Sequence, residues 1–407
     1  MRSLIVVLVL FLGMCTINAQ MKDSISEASK FRDFSFIPLP VIAANPTTGW
    51  MFGLAPGATW YMGDPSNTSI SSGLGTVIYT TNKQWILTAK TNVFLEGDSW
   101  NLLGDYRFFI TSQPTYGLGT GPQSGKPVGT GIEYEDGMFS KPISIGQMME
   151  FNYFRFHQTV LKRIEDTRFF AGIGYHLDYH YNIVDNLLDL EAEEPVLTSH
   201  YSYNTMHGLS TDNYLLSGIS VNALYDSRDN AVNPYSGRYA FANIRINPTF
   251  LGNEKSSSLL WLEYRDYLNL NKQRPRHMIG FWTYGWFVTS GEVPYLDLPA
   301  VGWDQFGRSG RAYTQGRFRG ENLMYGEIEY RFPLQKNKET FGGVVFVNTT
   351  TATNEMADIN LMQNLDYGYG VGLRVMLNKK SRANLNIDFA WGKYGASGFY
   401  LGLNEVF

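Results

Sequence analysis

Apolar and polar residues alternate along much of the chain, and this period of two constrains the fold more than any other feature. In residues 367–377, YGYGVGLRVML, the odd positions are apolar, while three glycines and Arg374 lie among the even ones. Residues 384–391 repeat the pattern, with an apolar set that starts at Leu385 and a polar set that includes Asp388. Such alternation predicts strands with one apolar and one polar face.

About sixteen segments show this pattern, and helix signals are nearly absent. Most segments reach the roughly 9–11 residues that a tilted strand needs to cross a bilayer. The predicted strands are 36–44, 49–62, 68–81, 84–96, 99–112, 144–157, 166–182, 212–226, 237–249, 257–270, 277–290, 322–334, 341–350, 367–378, 382–392 and 398–407. The sequence therefore predicts an all-β protein, a transmembrane antiparallel β-barrel of about 16 strands.

The lengths of the links between these strands follow a parity rule. The long links, 113–143, 183–211, 291–321 and 351–366, all occupy odd positions in the count, whereas most even links are short. The exception is 225–237, a longer even link. Long external loops and short periplasmic turns are typical of bacterial outer-membrane barrels. We therefore expect the barrel to lie in the bacterial outer membrane, with both termini in the periplasm.

The first residues predict export. Arg2 precedes the apolar run Leu4–Met14, and Ala19 supplies a small residue before a cleavage point, as in a secretory signal peptide. We divide the chain into a signal peptide at 1–19, a polar periplasmic tail at 20–34 and an outer-membrane barrel, a surface antigen domain, at 35–407.

Composition and motifs exclude several kinds of site. The chain has 33 Lys and Arg against 37 Asp and Glu, which disfavours nucleic acid as a partner. Its single cysteine, Cys15, lies in the predicted signal peptide, so no thiolate site is expected. His176, Asp178 and His180 share one strand face, but strand spacing makes convergence on one metal ion awkward. No G-x-S-x-G motif occurs, so we expect no enzyme, metal or cofactor.

One segment concentrates positive charge. Residues 307–320, GRSGRAYTQGRFRG, contain four arginines and four glycines. A phosphate-binding loop, a nucleic-acid patch, a solvated loop or a plug that pairs with acids are the alternatives. No helix follows to complete a phosphate-binding loop. In the strand that follows, Glu327, Glu329 and Arg331 share the polar face, so these acids are possible partners for an arginine folded into the barrel.

The segment 303–334 resembles the bacterial surface antigen family, the superfamily of BamA, TamA and FhaC. The family's lid motif reads V/L-R-G-F/Y, often followed by G-R-Y-R-D. Here Arg311 and Tyr313 match the first element, and Ala312 replaces its glycine. The second element is matched by Gly316, Arg317, Phe318 and Arg319, with Gly320 in place of aspartate.

Two further stretches carry the resemblance. Residues 225–239, YDSRDNAVNPYSGRY, are similar to the family's Y-D-x-R-D-x-x-x-x-P-x-x-G turn. The matching periplasmic turn residues are Tyr225, Asp226, Arg228, Asp229, Pro234 and Gly237. Residues 341–351 resemble the strand after the lid strand, with Asn348 where an aspartate is usual.

The resemblance implies a sixteen-stranded barrel whose long external loop between strands 11 and 12 folds back into the lumen as a lid. It assigns Arg311, with Arg317 and Arg319 as secondary anchors, to hold the lid. The expected lumen partners are Glu327 and Glu329, with Asn348 accepting a hydrogen bond but supplying no charge.

The end of the chain, FYLGLNEVF, resembles the C-terminal signal by which outer-membrane barrels are recognised for assembly. Phe399, Leu401, Leu403 and Phe407 alternate towards one face, and Gly402 lies where the signal has glycine. Glu405 departs from the signal, because an apolar residue is usual at its position.

The implied function is outer-membrane biogenesis: insertion or passage of polypeptide, or of lipid, through the barrel or its seam. Residues 20–34 leave no room for the family's POTRA domains, so we expect partner proteins to deliver the substrate. The other expected partners are outer-membrane lipid and the general barrel-assembly machinery that inserts the chain. A passive or substrate-selective pore and a structural barrel that presents its external loops are the alternatives.

Overall fold

The computed structural model of the protein describes residues 32–45, 49–125, 133–135, 138–140, 146–336 and 338–407. The predicted signal peptide and most of the predicted tail lie outside the described residues. Eighteen strands are present in the described ranges. They are β1 (Arg32–Asn45), β2 (Gly49–Tyr61), β3 (Ser71–Thr80), β4 (Trp85–Phe94), β5 (Trp100–Thr115), β6 (Glu133–Glu135), β7 (Met138–Phe139), β8 (Gln147–Arg163), β9 (Phe169–Asp185), β10 (Tyr214–Asp226), β11 (Gly237–Asn247), β12 (Ser257–Asn269), β13 (Met278–Gly291), β14 (Asn322–Pro333), β15 (Phe341–Ala352), β16 (Asp366–Asn378), β17 (Ala383–Gly392) and β18 (Ser397–Leu403).

Sixteen of these strands form one antiparallel sheet, a nearly closed barrel, in which each strand pairs with its neighbours in the chain. The short strands β6 and β7 form a separate hairpin in the loop that follows β5. The predicted all-β, sixteen-stranded architecture is confirmed. The described residues also include a helix, Ser199–Met206, in an external loop. No helix in the described ranges is long and apolar enough to cross a bilayer.

The alternation in the sequence separates lipid-facing from lumen-facing side chains. In β16, Tyr369 and Val371 point outward and are 50% and 48% exposed, whereas Arg374 points inward and is 1% exposed. The register supports this, because β16 pairs continuously with both β15 and β17 over most of its length.

Several strand bounds differ from the predicted ones. β1 begins at Arg32, within the stretch predicted as a tail, and β8 and β9 extend to Arg163 and Asp185. At the other end of the sheet, β18 stops at Leu403, although the predicted strand continued to Phe407. The cause is Asn404, whose φ of 67° turns the chain out of the extended conformation.

The two edge strands meet at a seam. Among the described residues no ladder joins β1 to β18, and the sheet order starts at one and ends at the other. The seam is closed by packing, because Leu39 of β1 lies in a buried cluster with Leu385 and Leu403. Pro38 of β1 faces Pro56 of β2 in register, and neither can donate a ladder hydrogen bond.

The loop between β13 and β14, residues 292–321, folds into the lumen, and we call it the lid loop. Its first half, including Tyr295 and Trp303, packs against the aromatic side chains of β8 and β10. Its second half, including Tyr313 and Phe318, packs in a cluster with aromatic side chains of β13, β14 and β15. The lid loop therefore spans the barrel interior from wall to wall.

The turn between β10 and β11, residues 227–236, crosses the mouth of the barrel at the end that carries the chain termini. Asn230 and Asn233 donate side-chain hydrogen bonds to the carbonyls of Ser381 and Arg382, in the turn between β16 and β17. Six strands, β11 to β16, lie between these two turns in the sheet. The longer even link that broke the parity rule is thus a strap across the mouth.

Candidate functional site

Arg311 of the lid loop is buried against three carboxylates of the barrel wall. Its Nη2 donates to Oε1 of both Glu327 and Glu329 on β14, and its Nη1 lies 2.8 Å from Asp388 Oδ2 on β17. All four side chains are at most 3% exposed. We call these four residues the latch cluster.

The latch cluster balances the cost of burying charge. Burial lowers the pKa of the Arg311 guanidinium, but Glu327, Glu329 and Asp388 outweigh it and raise that pKa well above its usual value. The guanidinium also lies over the ring of Phe346, 3.4 Å from its centroid. Removing one member of such a buried pair costs about 3–5 kcal/mol, since the other charge is left without a partner.

Two more arginines extend the latch cluster along the wall. Arg331 Nε donates to Glu329 Oε2 at 2.7 Å, and Arg374 Nη1 donates to Asp388 Oδ1 at 2.5 Å. Arg374 Nε also reaches Glu405 Oε2 at 2.7 Å. Since each carboxylate is shared, a change at Arg311 alters the balance of charge as far as Glu405.

The structure places Asn348 beside the latch cluster, but in a different role from the predicted one. Its Nδ2 donates a 3.0 Å hydrogen bond to the main-chain carbonyl of Arg311, so Asn348 does not accept a hydrogen bond from the guanidinium. An aspartate here could not make this contact, because an ionised carboxylate only accepts. Asp388 supplies the third negative charge instead.

Ala312 adopts a backbone conformation that favours glycine. Its φ is 97°, and its N–H donates to the hydroxyl of Tyr400 at 2.8 Å. The glycine expected at this position by resemblance is therefore required by the backbone, and alanine is held there under strain.

Tyr313 and Gly316 fix the turn that follows. The Tyr313 hydroxyl donates to the carbonyl of Tyr367 and accepts from the N–H of Lys393 at 2.9 Å. Gly316, with a φ of 76°, donates its N–H to the carbonyl of Val301 at 2.8 Å. The two Tyr313 contacts attach the lid loop to the outer ends of β16 and β17. The Gly316 contact holds the loop's own turn.

Arg317 and Arg319 bind main-chain carbonyls. Arg317 Nη1 donates to the carbonyl of Ser124, at 3.0 Å, in the loop after β5. Arg319 Nη1 donates to the carbonyls of Tyr295 and Leu296, at 2.8 and 2.6 Å, within the lid loop itself. Burial lowers the pKa of both guanidinium groups. They hold the shape of the loop and its contact with a neighbouring loop.

The last four described residues, 404–407, leave the barrel wall and enter the lumen, and we call them the C-terminal tail. Phe407 is 4% exposed and lies against Trp282 of β13, with ring centroids 5.4 Å apart. The prediction that Phe399, Leu401, Leu403 and Phe407 alternate towards one face is therefore wrong for Leu403 and Phe407. Phe399 and Leu401 are 58% and 43% exposed, but Leu403 and Phe407 are buried, while Gly402 faces Asn386 of β17 in register.

Glu405 explains why the tail turns inward. Besides Arg374, its carboxylate accepts from Asn384 Nδ2 at 2.6 Å. Burial raises the pKa of the Glu405 carboxyl, but Arg374 and Arg331 outweigh it and hold that pKa at about 2. A carboxylate at this position is stable only where arginines and amides surround it. Glu405, the residue that departs from the assembly signal, therefore anchors the tail in the lumen.

Arg308 joins the lid loop to the C-terminal tail. Its Nη2 donates to the carbonyl of Leu403 at 2.7 Å, and its Nη1 donates to the carbonyl of Glu405. Burial lowers the pKa of the Arg308 guanidinium to about 10, although Asp304 raises it. The two chain segments that fill the lumen are thus bonded to each other as well as to the wall.

The turn motif forms a compact set of contacts at the mouth that carries the chain termini. Arg228 and Asp226 make a two-bond pair, with Nε–Oδ1 and Nη2–Oδ2 distances of 2.9 and 2.6 Å. Asp229 Oδ1 accepts from the N–H groups of Tyr235 and Ser236, and its Oδ2 lies 2.7 Å from Arg382 Nη1.

The remaining motif residues shape this turn. Pro234 is buried, and Tyr225 faces outward against Phe169. Gly237 has a φ of 104°, and a Cβ there would lie 2.3 Å from the carbonyl oxygen of Ser227, so no other residue fits without a shift of the backbone.

The histidines and aspartate of residues 176–180 lie in the lumen. Asp178 is a buried acceptor for Arg155 and Arg245, at 2.6 and 2.8 Å, and for the hydroxyl of Tyr153. Within the described part of the chain, no three His, Cys, Asp or Glu side chains lie where they could hold one metal ion.

Sequence reasoning missed Asp388, Arg374 and Glu405 as members of the site. Asp388 and Arg374 stood out only as polar members of alternating strands. The usable signal was Glu405, a charge at a position where the resembled motif has an apolar residue. A buried acid needs a cationic partner, and the lumen faces of β14 and β16 supply Arg331 and Arg374.

Comparisons with known proteins agree with this architecture. A family model described as the Omp85 superfamily domain matches residues 165–407. A search of curated proteins finds no match to the chain.

Two solved structures share the fold. The crystal structure of BamA from Haemophilus ducreyi lacking POTRA domains 1-3 is 13% identical, with a TM-score of 0.53 over 93% of this chain and 70% of that chain. CdiB from Acinetobacter baumannii is also 13% identical, with a TM-score of 0.51 over 93% of this chain and 60% of that chain. At this identity the likeness shows the fold alone.

Proposed function

The chain belongs to the Omp85 superfamily of outer-membrane β-barrels, and on that premise we propose that it assembles or translocates polypeptides at the outer membrane with partner proteins. Lipid is included as a second class of substrate that passes through the same barrel. The proposal contains no catalytic step. A cleaved signal peptide exports the chain, and the cell's barrel-assembly machinery inserts it.

The observation that carries the proposal is the burial of Arg311 among Glu327, Glu329 and Asp388. Arg311 is the lid loop's only ion pair with the acids of β14 and β17 among the described residues, so opening of the latch cluster favours release of the loop from that wall. A permanently open pore would have no need for such a loop. The alternative of a passive pore is therefore disfavoured, and a barrel that opens during its work is favoured.

The seam gives the substrate a place to act. β18 has 7 residues and β1 has 14, and no ladder joins them in the described ranges. The unpaired main-chain groups of β1 form an edge to which an incoming strand adds by hydrogen bonding. Partner proteins deliver that strand from the periplasm.

Depletion of the chain in its own bacterium tests the function. We expect the abundance of other outer-membrane barrels, or of secreted polypeptides, to fall in quantitative proteomics of outer-membrane fractions. Re-expression of the wild-type chain should restore it. An unchanged outer-membrane proteome together with slower uptake of a small solute would instead identify a pore, and unchanged values of both would favour a structural barrel.

Conductance in planar bilayers provides an independent measurement. Closed wild-type barrels that become conducting when residues 303–321 are deleted support a lidded barrel. Large, steady conductance of the wild-type protein contradicts it. Affinity purification of the native complex then identifies the partner proteins.

A further inference from the structure

The outer wall carries a groove on the side of the barrel away from the seam. Strands β10 to β13 there present a group of small side chains to the membrane. The floor consists of Ala223, Ala240, Ala242, Thr283 and Gly285, together with nearby main chain. The groove encloses about 460 Å³, within the roughly 300–1,000 Å³ of small-molecule sites.

The alanines of the groove lie in the halves of β10 and β11 that are nearer the chain termini. Towards the external end, the outward positions of β10 and β11 are Ile219, Val221, Ile244 and Ile246, which are 45–63% exposed. Towards the end that carries the termini, the same face continues with alanine. The alanine end of the groove therefore lies at the depth of the periplasm-facing leaflet, and Phe287 and Met324 extend the groove towards the external half of the wall.

Large apolar side chains form the walls of the groove. Tyr225 stands on one side, Phe287 and Met324 stand on the other, and Leu262 and Tyr264 line the space between them. In register, Ala242 faces Leu262 and Ala240 faces Tyr264, so the depressions lie beside these larger residues. A flexible hydrocarbon chain fits such a surface better than a rigid protein ridge.

Positive charge flanks the periplasmic end of the groove. Arg238 is next to Ala240 on the outward face of β11, its side chain is 63% exposed, and its Nε lies 3.2 Å from Asp266 Oδ2. Arg168 precedes Phe169, is exposed, and donates through Nη1 to the carbonyl of Ser227. Two guanidinium groups at the membrane surface complement a phosphate group.

We propose that this groove binds one phospholipid of the periplasm-facing leaflet, with an acyl chain over Ala223, Ala240 and Ala242 and the phosphate at Arg168 and Arg238. The site is separate from the seam and from the latch cluster. It depends only on the outward face of β10 to β13, so it stands whether or not the proposed role in polypeptide assembly is correct. A lipid held there fixes the depth of this wall in the membrane.

Native mass spectrometry of the full chain in mild detergent tests the site, with 1-palmitoyl-2-oleoyl phosphatidylglycerol as the probe. We expect one lipid per wild-type chain and at least a tenfold loss of retention in Ala242→Phe, which fills the groove. Ala89→Phe, the same change at an exposed alanine of β4, should retain lipid as the wild type does. Arg168→Gln with Arg238→Gln should weaken retention several-fold.

Heat-modifiability on gels confirms that each variant is folded before its lipid content is compared. Equal retention by the wild type and Ala242→Phe would overturn the proposal. So would a wild-type chain that carries no lipid, or one that forms a dimer which Ala242→Phe dissociates, since the groove would then be an interface between copies. Loss in Ala89→Phe as large as in Ala242→Phe would show that the lipid is bound without a specific site.

Discussion

Arg311 in the lid loop and Asp388 in β17 form a direct ion pair across 77 residues of sequence, with Nη1 2.8 Å from Oδ2. Because β17 is next to the seam strand β18, this pair connects the lid loop to the edge of the sheet. The state of the lumen and the state of the seam are therefore joined through one carboxylate, which Arg374 shares.

Arg311→Ala should release the lid loop. The change leaves Glu327 without a cationic partner inside the lumen, at a cost of about 3–5 kcal/mol, whereas Glu329 keeps its pair with Arg331. We expect a lower midpoint of urea unfolding in lipid vesicles and more frequent channel openings in planar bilayers. Lys272→Ala, which removes an exposed lysine from the turn between β12 and β13, should leave the free energy of unfolding within about 0.5 kcal/mol of the wild type and the channel openings unchanged. Unaltered channel behaviour in Arg311→Ala would remove the latch role.

A double-mutant cycle between Arg311→Ala and Asp388→Asn measures the connection directly. Contacting residues usually show coupling of about 0.5–3 kcal/mol, and we expect a value above about 1 kcal/mol because both groups are buried. Asp388→Asn combined with Lys272→Ala should be additive. Additivity of the Arg311 and Asp388 changes would mean that the pair contributes nothing of its own to stability.

Substitutions at Ala312 should be ranked by backbone strain. A positive φ costs a non-glycine residue about 1–3 kcal/mol, and a β-branched residue suffers most. Ala312→Gly should change the free energy of unfolding by no more than about 1 kcal/mol, since relief of strain offsets the lost methyl contact. Ala312→Val should destabilise by about 3 kcal/mol or more. Equal stability of the two variants would contradict the conformation described at this position.

The stabilising effect of Glu405 should depend on pH. The pKa of its carboxyl is about 2 in the folded protein and near 4.5 when unfolded, because Arg374 and Arg331 favour the ion. A depressed carboxyl pKa contributes stability above the unfolded value, and this stability is lost as the pH falls from about 4.5 towards 2. Glu405→Gln should therefore lower the unfolding midpoint at pH 7, and its difference from the wild type should shrink across that range.

The exposed carboxyl of Glu194 supplies the control for this measurement. Glu194→Gln should match the wild type at every pH, because that residue is exposed in an external loop. A destabilisation by Glu405→Gln that is the same at pH 7 and at pH 2.5 would attribute the effect to packing alone.

Two substitutions at Asp229 separate its ion pair from its hydrogen bonds. Asp229→Asn removes the charge that pairs with Arg382, a partly exposed contact worth about 0–1 kcal/mol, but keeps an oxygen for the N–H groups of Tyr235 and Ser236. Asp229→Ala removes both and should cost about 1–3 kcal/mol more. Thermal unfolding of the two variants checks the order, and a larger effect of asparagine than of alanine would reverse our assignment.

The architecture was predictable from sequence because a period of two and a parity of loop lengths are local signals. The partners Glu327 and Glu329 were predictable for a related reason. They lie on the polar face of the strand that directly follows the arginine-rich loop. The role of Asp388 was not predictable. Alternation shows that this residue faces the lumen, but it does not show which loop contacts it. The path of the lid loop depends on packing across the whole interior.

The inward C-terminal tail was missed because resemblance to an assembly signal was extended through Glu405. The alternation of Phe399 and Leu401 correctly marks the lipid face, but it gives no information beyond the point where the strand ends. The positive φ of Asn404 is the local cause, and the arginines of β14 and β16 are the distant one. Only the distant cause, the arginines, explains why residue 405 is a glutamate.

The strap of residues 227–236 has a mechanical consequence for the barrel. The strap bonds to Ser381 and Arg382, so it joins the two ends of the row of strands from β11 to β16 at the periplasmic rim. It thereby fixes the distance between those two ends. An increase in the circumference of the rim is then confined to the strands outside the arc. Displacement should concentrate in β1 to β5, in β8 to β10 and in β17 and β18, so the barrel should widen there while the arc from β11 to β16 keeps its shape.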